Sequence, residues 1–213
     1  MIPALMLFGK HKSTIVHHIN RLTLFMMGGK LAQEGVMDTT VDMYVMNHQG
    51  IVDIIGLEAL QNHHLRWVAK KELFEAPWFG NLLRHGEMIS LDRQNKAGLI
   101  KLIKDVKESK EIYHRPVAIF PEGTRTDKQP LLPFKQGTKL IAEKLELRVQ
   151  PIVITGSKWV LNEHIKTGHS GTVKYSFLPS ITVKECDENW YETLREDMQK
   201  VIDDELNNNH CSR

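Results

Sequence analysis

Asp42-Met43-Tyr44-Val45-Met46-Asn47-His48-Gln49-Gly50-Ile51-Val52-Asp53 is the stretch on which the fold turns. Met43 to Met46 is an uninterrupted apolar run and reads as a buried strand. Asp53 is placed to begin a helix carrying Ile54, Ile55, Leu57 and Leu60 at helical spacing. His48 then lies just past a strand end, where the Asp53 carboxylate can bend back and accept a hydrogen bond from one imidazole nitrogen. That fixes the tautomer and leaves the other nitrogen as a base for an alcohol proton. Alone the pair proves little, because in a chain with eleven histidines such a spacing arises by chance about half the time. The competing reading is a strand-end histidine with Asp53 as an ordinary helix cap.

A second element shifts the balance toward chemistry. Val117 to Phe120 is a short β-prone run, Pro121 ends it, and Gly123 permits an unusual backbone angle before Thr124 and Arg125. Further strand-like runs are Val41 to Met46, Leu65 to Ala69, Met88 to Leu91, Val149 to Ile154 and Thr172 to Phe177. Helical patterns alternate with them at Lys96 to Glu111, with its apolar stripe Leu99, Ile100, Ile103 and Val106, at Gly137 to Leu145, and at Asn189 to Leu206. The alternation predicts a layered α/β fold, a central mostly parallel or mixed sheet flanked by helices. In such sheets ligands collect beyond the strand ends. His48, Arg93 and Glu122 to Arg125 each follow a predicted strand, so three distant segments are expected to meet at one edge.

The 213 residues, 41% of them hydrophobic, suffice for one sizeable core. Cys186 and Cys211 lie near the C-terminus and read as free thiols in a reducing compartment. The net charge of +2 and the absence of any zinc-finger or helix-turn-helix signature give no case for nucleic acid. The charge is uneven, however. From Met1 to Gln33 there is no acidic residue, while Lys10, Lys12, Arg21 and Lys30 stand beside His11, His17 and His18. Ile15, Ile19, Leu22 and Met26 recur at helical spacing, and Leu5 to Phe8 adds an apolar patch. Residues 1–38 therefore read as a basic amphipathic docking segment ahead of a catalytic domain over 39–213. Neither apolar run approaches the roughly 20 residues that span a bilayer. A membrane-surface anchor and a helix packed on the protein's own core fit the pattern equally well.

Asn47-His48-Gln49 with Asp53, Gly86-Glu87-Met88-Ile89-Ser90-Leu91-Asp92-Arg93, Phe120 to Arg125, and Val149-Gln150-Pro151-Ile152-Val153-Ile154 stand in the order of four blocks found in one enzyme family. With Leu132-Pro133-Phe134-Lys135-Gln136-Gly137 downstream of the third, the chain from about Asp42 to Gly156 resembles the glycerolipid acyltransferases of the lysophosphatidic acid acyltransferase type. Gly50 departs from the serine of many relatives, and Ser90-Leu91 replaces a bulkier pair. The resemblance also favours membrane docking for the N-terminal segment, on the cytoplasmic face.

The resemblance implies direct transfer of a fatty acyl group from a thioester, acyl-coenzyme A or acyl-carrier protein, to the free sn-2 hydroxyl of a lysophospholipid, lysophosphatidic acid, giving phosphatidic acid. His48 would be the general base and Asp53 its orienting acid. No Gly-x-Ser-x-Gly elbow is present, in keeping with a reaction without an acyl-enzyme. An acceptor phosphate calls for guanidinium forks, for which Arg93 and Arg125 are the candidates, with Lys135 a third. Glu122 and Thr124 are expected to shape the acceptor site, and amides around Gly123 to meet the developing oxyanion. No cofactor is expected. No metal is expected either, because His17-His18, His63-His64 and the His164/His169 pair lack zinc-ligand spacing. Trp78-Phe79 beside Phe74 reads as core before it reads as a wall for an acyl chain. Two alternatives stay open: a different acceptor, such as glycerol-3-phosphate or a lyso-aminolipid, and a non-catalytic lipid-binding protein.

Overall fold

A computed structural model of the protein describes residues 12–93 and 95–209. The Leu5–Phe8 patch, Lys10, His11 and Cys211 lie outside the described residues. Strand β2 (Met43–Met46) is the centre of the molecule, and all four of its side chains are fully buried. Side chains alternate across a strand, so Met43 and Val45 join one apolar layer while Tyr44 and Met46 join the other. The first layer is roofed by helices α5 (Lys96–Glu108), α6 (Gln136–Lys144) and α8 (Trp190–Asn209), through Leu102 and Val106, Ile141, and Met198 and Ile202. The second is covered by α1 (Lys12–Met26) and α2 (Ile51–Leu60), through Leu24, Val52 and Leu57.

Around β2 run β1 (Gly29–Glu34), β3 (Arg66–Lys70), β4 (Ile89–Leu91), β5 (Val117–Ile119), β6 (Arg148–Thr155), β9 (Gly171–Phe177) and β10 (Ile181–Thr182). The main path of the sheet is β1-β9-β6-β2-β5-β3-β4, and β10 pairs with β6 off that path. The five strands from β6 to β4 are parallel, whereas β9 and β10 pair antiparallel with β6 and β1 lies parallel to β9. The expected mostly parallel sheet flanked by helices is therefore present. Short helices α3 (Lys71–Glu75) and α4 (Phe79–His85) link β3 to β4, and α7 (Ser157–Val160) leads into a hairpin of β7 (Leu161–Asn162) and β8 (Thr167–Gly168). The long helix expected over Lys96 to Glu111 stops being α-helical at Glu108 and continues as a π turn, Ser109–Tyr113.

The boundary expected at residue 38 does not divide the structure, because β1 pairs along its length with β9 inside the sheet. Its sequence, Gly-Lys-Leu-Ala-Gln-Glu, is polar because it is a half-buried edge strand. Helix α1 is likewise packed on the fold. His17 Nδ1 donates to the carbonyls of Gln61 (2.8 Å) and Glu58 (3.2 Å) at the end of α2, satisfying groups that a helix C-terminus leaves open. Leu22, Phe25 and Met26 nevertheless remain exposed. Trp78 corrects the expectation of a core cluster: Phe74 is buried, but Trp78, with φ +68°, is 82% exposed. No described helix is long and apolar enough to cross a membrane.

Candidate active site

The parallel strands end at one edge, and the site is built there. Asn47, immediately after β2, is fully buried and clasps β6 by donating to Ile154 O (2.8 Å) and accepting from Ile154 N (2.7 Å). This side-chain bridge lets the chain leave the sheet while the neighbouring strand stays paired. The next residue is His48, 13% exposed, whose Nδ1 lies 2.8 Å from Asp53 Oδ2. Helix α2 starts at Ile51, two residues earlier than the sequence suggests, so Asp53 sits in its first turn. The same Asp53 oxygen accepts from the backbone of Gln49 (2.6 Å) and Gly50 (2.9 Å). Burial pushes this carboxyl up, but the His48 contact and the Gly50 amide outweigh it and hold it below the ordinary carboxylate range. With Asp53 ionised, Nδ1 is the protonated ring nitrogen and Nε2 carries the lone pair.

The third block holds the histidine from the other side. The Phe120 ring stacks on His48 at 3.8 Å between centroids and 11° between planes, and Trp67 stacks behind Phe120 at 5.6 Å. Trp67 Nε1 in turn donates to Glu58 Oε1 (2.6 Å). Burial pushes the Glu58 carboxyl up to about 7, against the Trp67 hydrogen bond and the Arg115 charge. Glu122 is 1% exposed, and its two oxygens accept from His48 N (3.1 Å) and Leu132 N (2.9 Å). Expected to shape the acceptor site, it is buried and ties the histidine's backbone to the loop before α6. Gly123 adopts φ +72°, the left-handed region that favours glycine. Its N–H donates to Phe120 O (3.1 Å), so of the amides around Gly123 expected to meet the oxyanion this one is already engaged.

The cationic residues gather beside the histidine. Arg93 Nη1 donates to Gly123 O. Arg125 is exposed, with Nε 3.4 Å from His48 Nε2 and Nη1 2.8 Å from Glu163 Oε2. Thr124 and Lys135 are exposed beside them, and a Cβ added at Gly123 would lie 3.4 Å from Lys135 Cγ. All eight residues singled out in the sequence therefore meet at one sheet edge. Sequence reasoning missed Glu163, in the β7–β8 hairpin, which is polar and aperiodic. It also missed the bracing roles of Asn47 and Phe120, although both lie inside the motifs. No described group of His, Cys, Asp and Glu side chains is arranged to hold a metal ion.

The acyltransferase family profile matches residues 33–155, more than half of the chain. The protein belongs to the acyltransferase family. It is 41% identical to a 1-acyl-sn-glycerol-3-phosphate acyltransferase of Helicobacter pylori, over 81% of this chain and 73% of that one. To a coconut (Cocos nucifera) protein of the same name it is 33% identical over 75% of this chain, which spans about half of that relative's length, 53%. The fold matches the crystal structure of the 1-acyl-sn-glycerophosphate (LPA) acyltransferase PlsC from Thermotoga maritima. The TM-score is 0.69 at 23% identity, covering 90% of this chain and 77% of that one. In this acyltransferase the matched region carries the sheet from β2 to β6 and all the residues of the edge except Glu163.

Proposed function

We propose that this acyltransferase moves a fatty acyl group from an acyl thioester to the sn-2 hydroxyl of lysophosphatidic acid, producing phosphatidic acid for phospholipid synthesis. The observation that carries the reading is the orientation of His48. Asp53 takes its Nδ1–H at 2.8 Å, so Nε2 is the basic atom and faces Arg125. As the acceptor oxygen bonds to the thioester carbonyl carbon, its proton passes to Nε2. The carbon–sulfur bond then breaks, and the proton goes on to the departing thiolate. Asp53 stabilises the imidazolium formed between those steps. Arg125 and Arg93, with Lys135, supply forked and point charges for the acceptor phosphate.

Either acyl-coenzyme A or acyl-carrier protein serves as donor in this scheme, and no cofactor takes part. The acceptor is a lipid, and exposed apolar side chains of α1 support docking on a phospholipid membrane; docking at the cytoplasmic face is part of the same proposal. α1 leads into β1 at the edge where β6 ends, because β9, paired with both, runs antiparallel to β6. Exposed Leu22, Phe25 and Met26 thus lie toward the same edge as His48. Amphipathic segments of this kind rest in the interface plane.

The test is thiol release from palmitoyl-coenzyme A with and without lysophosphatidic acid, comparing the protein with His48→Ala. Acceptor-dependent release that falls about 10² to 10⁴-fold in a folded variant is expected for loss of a positioned base. Release that is independent of the acceptor would identify a hydrolase, and equal turnover by the variant would remove His48 from the chemistry.

A further inference from the structure

The Arg125 guanidinium has two commitments that conflict with its work on an acceptor. Its Nε points a proton at His48 Nε2, 3.4 Å away, the atom that must accept the acceptor's hydroxyl proton. Its Nη1 is held by Glu163 Oε2 at 2.8 Å. Glu163 is itself anchored, because the same oxygen accepts from Ile51 N (3.3 Å) at the start of α2. The positive end of that helix favours a carboxylate there. Glycine at residue 50 eases its approach: a Cβ at that position would stand 3.2 Å from Glu163 Oε2, a tight contact the carboxylate would have to relieve by moving. Gly50 has φ −166°, an extended angle open to any residue, so its lack of a side chain serves space rather than backbone freedom. The departure from serine at residue 50 and the carboxylate in the β7–β8 hairpin are thus two halves of one arrangement.

We infer that Glu163 is a positioning residue that latches Arg125 across His48 Nε2 until an anionic acceptor takes the guanidinium away. This rests on the reading of His48 as the base and Arg125 as a phosphate contact. With the latch closed, the lone pair of Nε2 is occupied, and a water molecule cannot use it to attack the thioester. That side reaction would add water's oxygen to the carbonyl carbon, pass its proton through His48 to the thiolate, and release free acid and thiol. An acceptor phosphate competes with Glu163 for the same N–H groups, draws Arg125 off the imidazole and uncovers the base as its own hydroxyl arrives. The enzyme then spends its thioester only when a phosphate-bearing acceptor is seated. Glu163 makes no contact with the reacting atoms in this scheme and acts through Arg125.

The experiment uses the full chain with palmitoyl-coenzyme A and compares Glu163→Gln and Gly50→Ser with the unaltered protein. Both substitutions loosen the latch, one by removing the charge and the other by crowding the carboxylate out of its present position. Each is expected to raise thiol release without acceptor by about two- to fivefold, the range of a partly exposed ion pair. Each is also expected to lower KM for lysophosphatidic acid to a similar extent, with kcat little changed. A merely structural role would lower kcat and leave hydrolysis unaltered. Adding His48→Ala to Glu163→Gln should abolish the extra hydrolysis. A raised KM with unchanged hydrolysis would overturn the latch and make Glu163 an aid to phosphate binding. If transfer is normal and neither variant changes hydrolysis or KM, the latch alone fails. If the unaltered protein shows no acceptor-dependent release, the acyl-transfer reading fails with it.

Discussion

Asp53→Asn isolates the charge behind the proposed base from the geometry that charge maintains. The three donors around this carboxyl, His48 Nδ1, Gln49 N and Gly50 N, all converge on Oδ2. The other oxygen, Oδ1, is buried without a hydrogen-bond partner. An asparagine can therefore put its carbonyl oxygen where Oδ2 stands, turn its amide toward the Oδ1 side, and keep all three bonds. The imidazole keeps its tautomer, and what disappears is the negative charge facing it as it becomes cationic.

Two routes bound the size of that loss. A hydrogen bond to a charged group contributes about 1.5–3 kcal/mol against about 0.5–1.5 for a neutral one, a difference of about 1–2 kcal/mol. A unit charge pair about 4 Å apart at an effective dielectric constant of about 20 gives about 4 kcal/mol, realised only as far as the proton has moved in the transition state. These describe one interaction, so they bracket it at about 1–4 kcal/mol, or about 5- to 900-fold in turnover. Acceptor-dependent thiol release measured against lysophosphatidic acid should show this fall in kcat with KM for the acceptor unchanged. Because the two residues act as a unit, adding Asp53→Asn to His48→Ala should cost little more than His48→Ala alone. Stability reports separately. The folded-state value of Asp53 is lowered, so its contribution is present above the ordinary carboxylate value and is lost as pH falls through the lowered one. The variant should lack that acid-side loss. A folded Asp53→Asn enzyme that turns over as fast as the parent would refute the idea that a carboxylate stabilises the imidazolium.

Glu58→Gln should flatten the stability profile around neutrality. Its carboxyl is buried and raised to about 7, so the protonated form favours folding. Stability from this group is full below about pH 4.5 and declines by about 3 kcal/mol as pH rises through 7. Thermal unfolding between pH 5 and 8 should show Tm falling less in the variant than in the parent, and parallel curves would exclude Glu58 as the source. Arg125→Ala should raise KM for lysophosphatidic acid more than KM for the thioester, as read from separate titrations of the two substrates. Equal effects on both would argue against phosphate recognition. Replacing Leu22, Phe25 and Met26 together by serine should weaken co-sedimentation with anionic phospholipid vesicles while leaving the unfolding transition near its original temperature, because all three side chains are exposed. Undiminished sedimentation would place membrane docking elsewhere.

The sequence made the middle of the sheet readable because its strands are buried on both faces. Met43 to Met46 is apolar without interruption, Val149 to Ile154 is broken only by Gln150, and both lie in the centre of the sheet. β1 stayed hidden for the opposite reason, since an edge strand half open to water has no need of an apolar run. The site followed the same logic one level up. His48, Asp53, Arg93 and Arg125 were readable from residue type and motif order, and topology alone carries them to one edge. What residue type does not reveal is which backbone groups are already taken. Glu122 looks like a ligand until its oxygens are seen to accept from His48 N and Leu132 N. The Gly123 amide looks free until the turn through Pro121 and Glu122 brings it onto Phe120 O. Glu163 was further out of reach, because its effect on Arg125 depends on a close approach to Gly50 that only the packed chain creates. Residues that do chemistry are thus visible by type, whereas residues that govern when the chemistry starts are visible only by position.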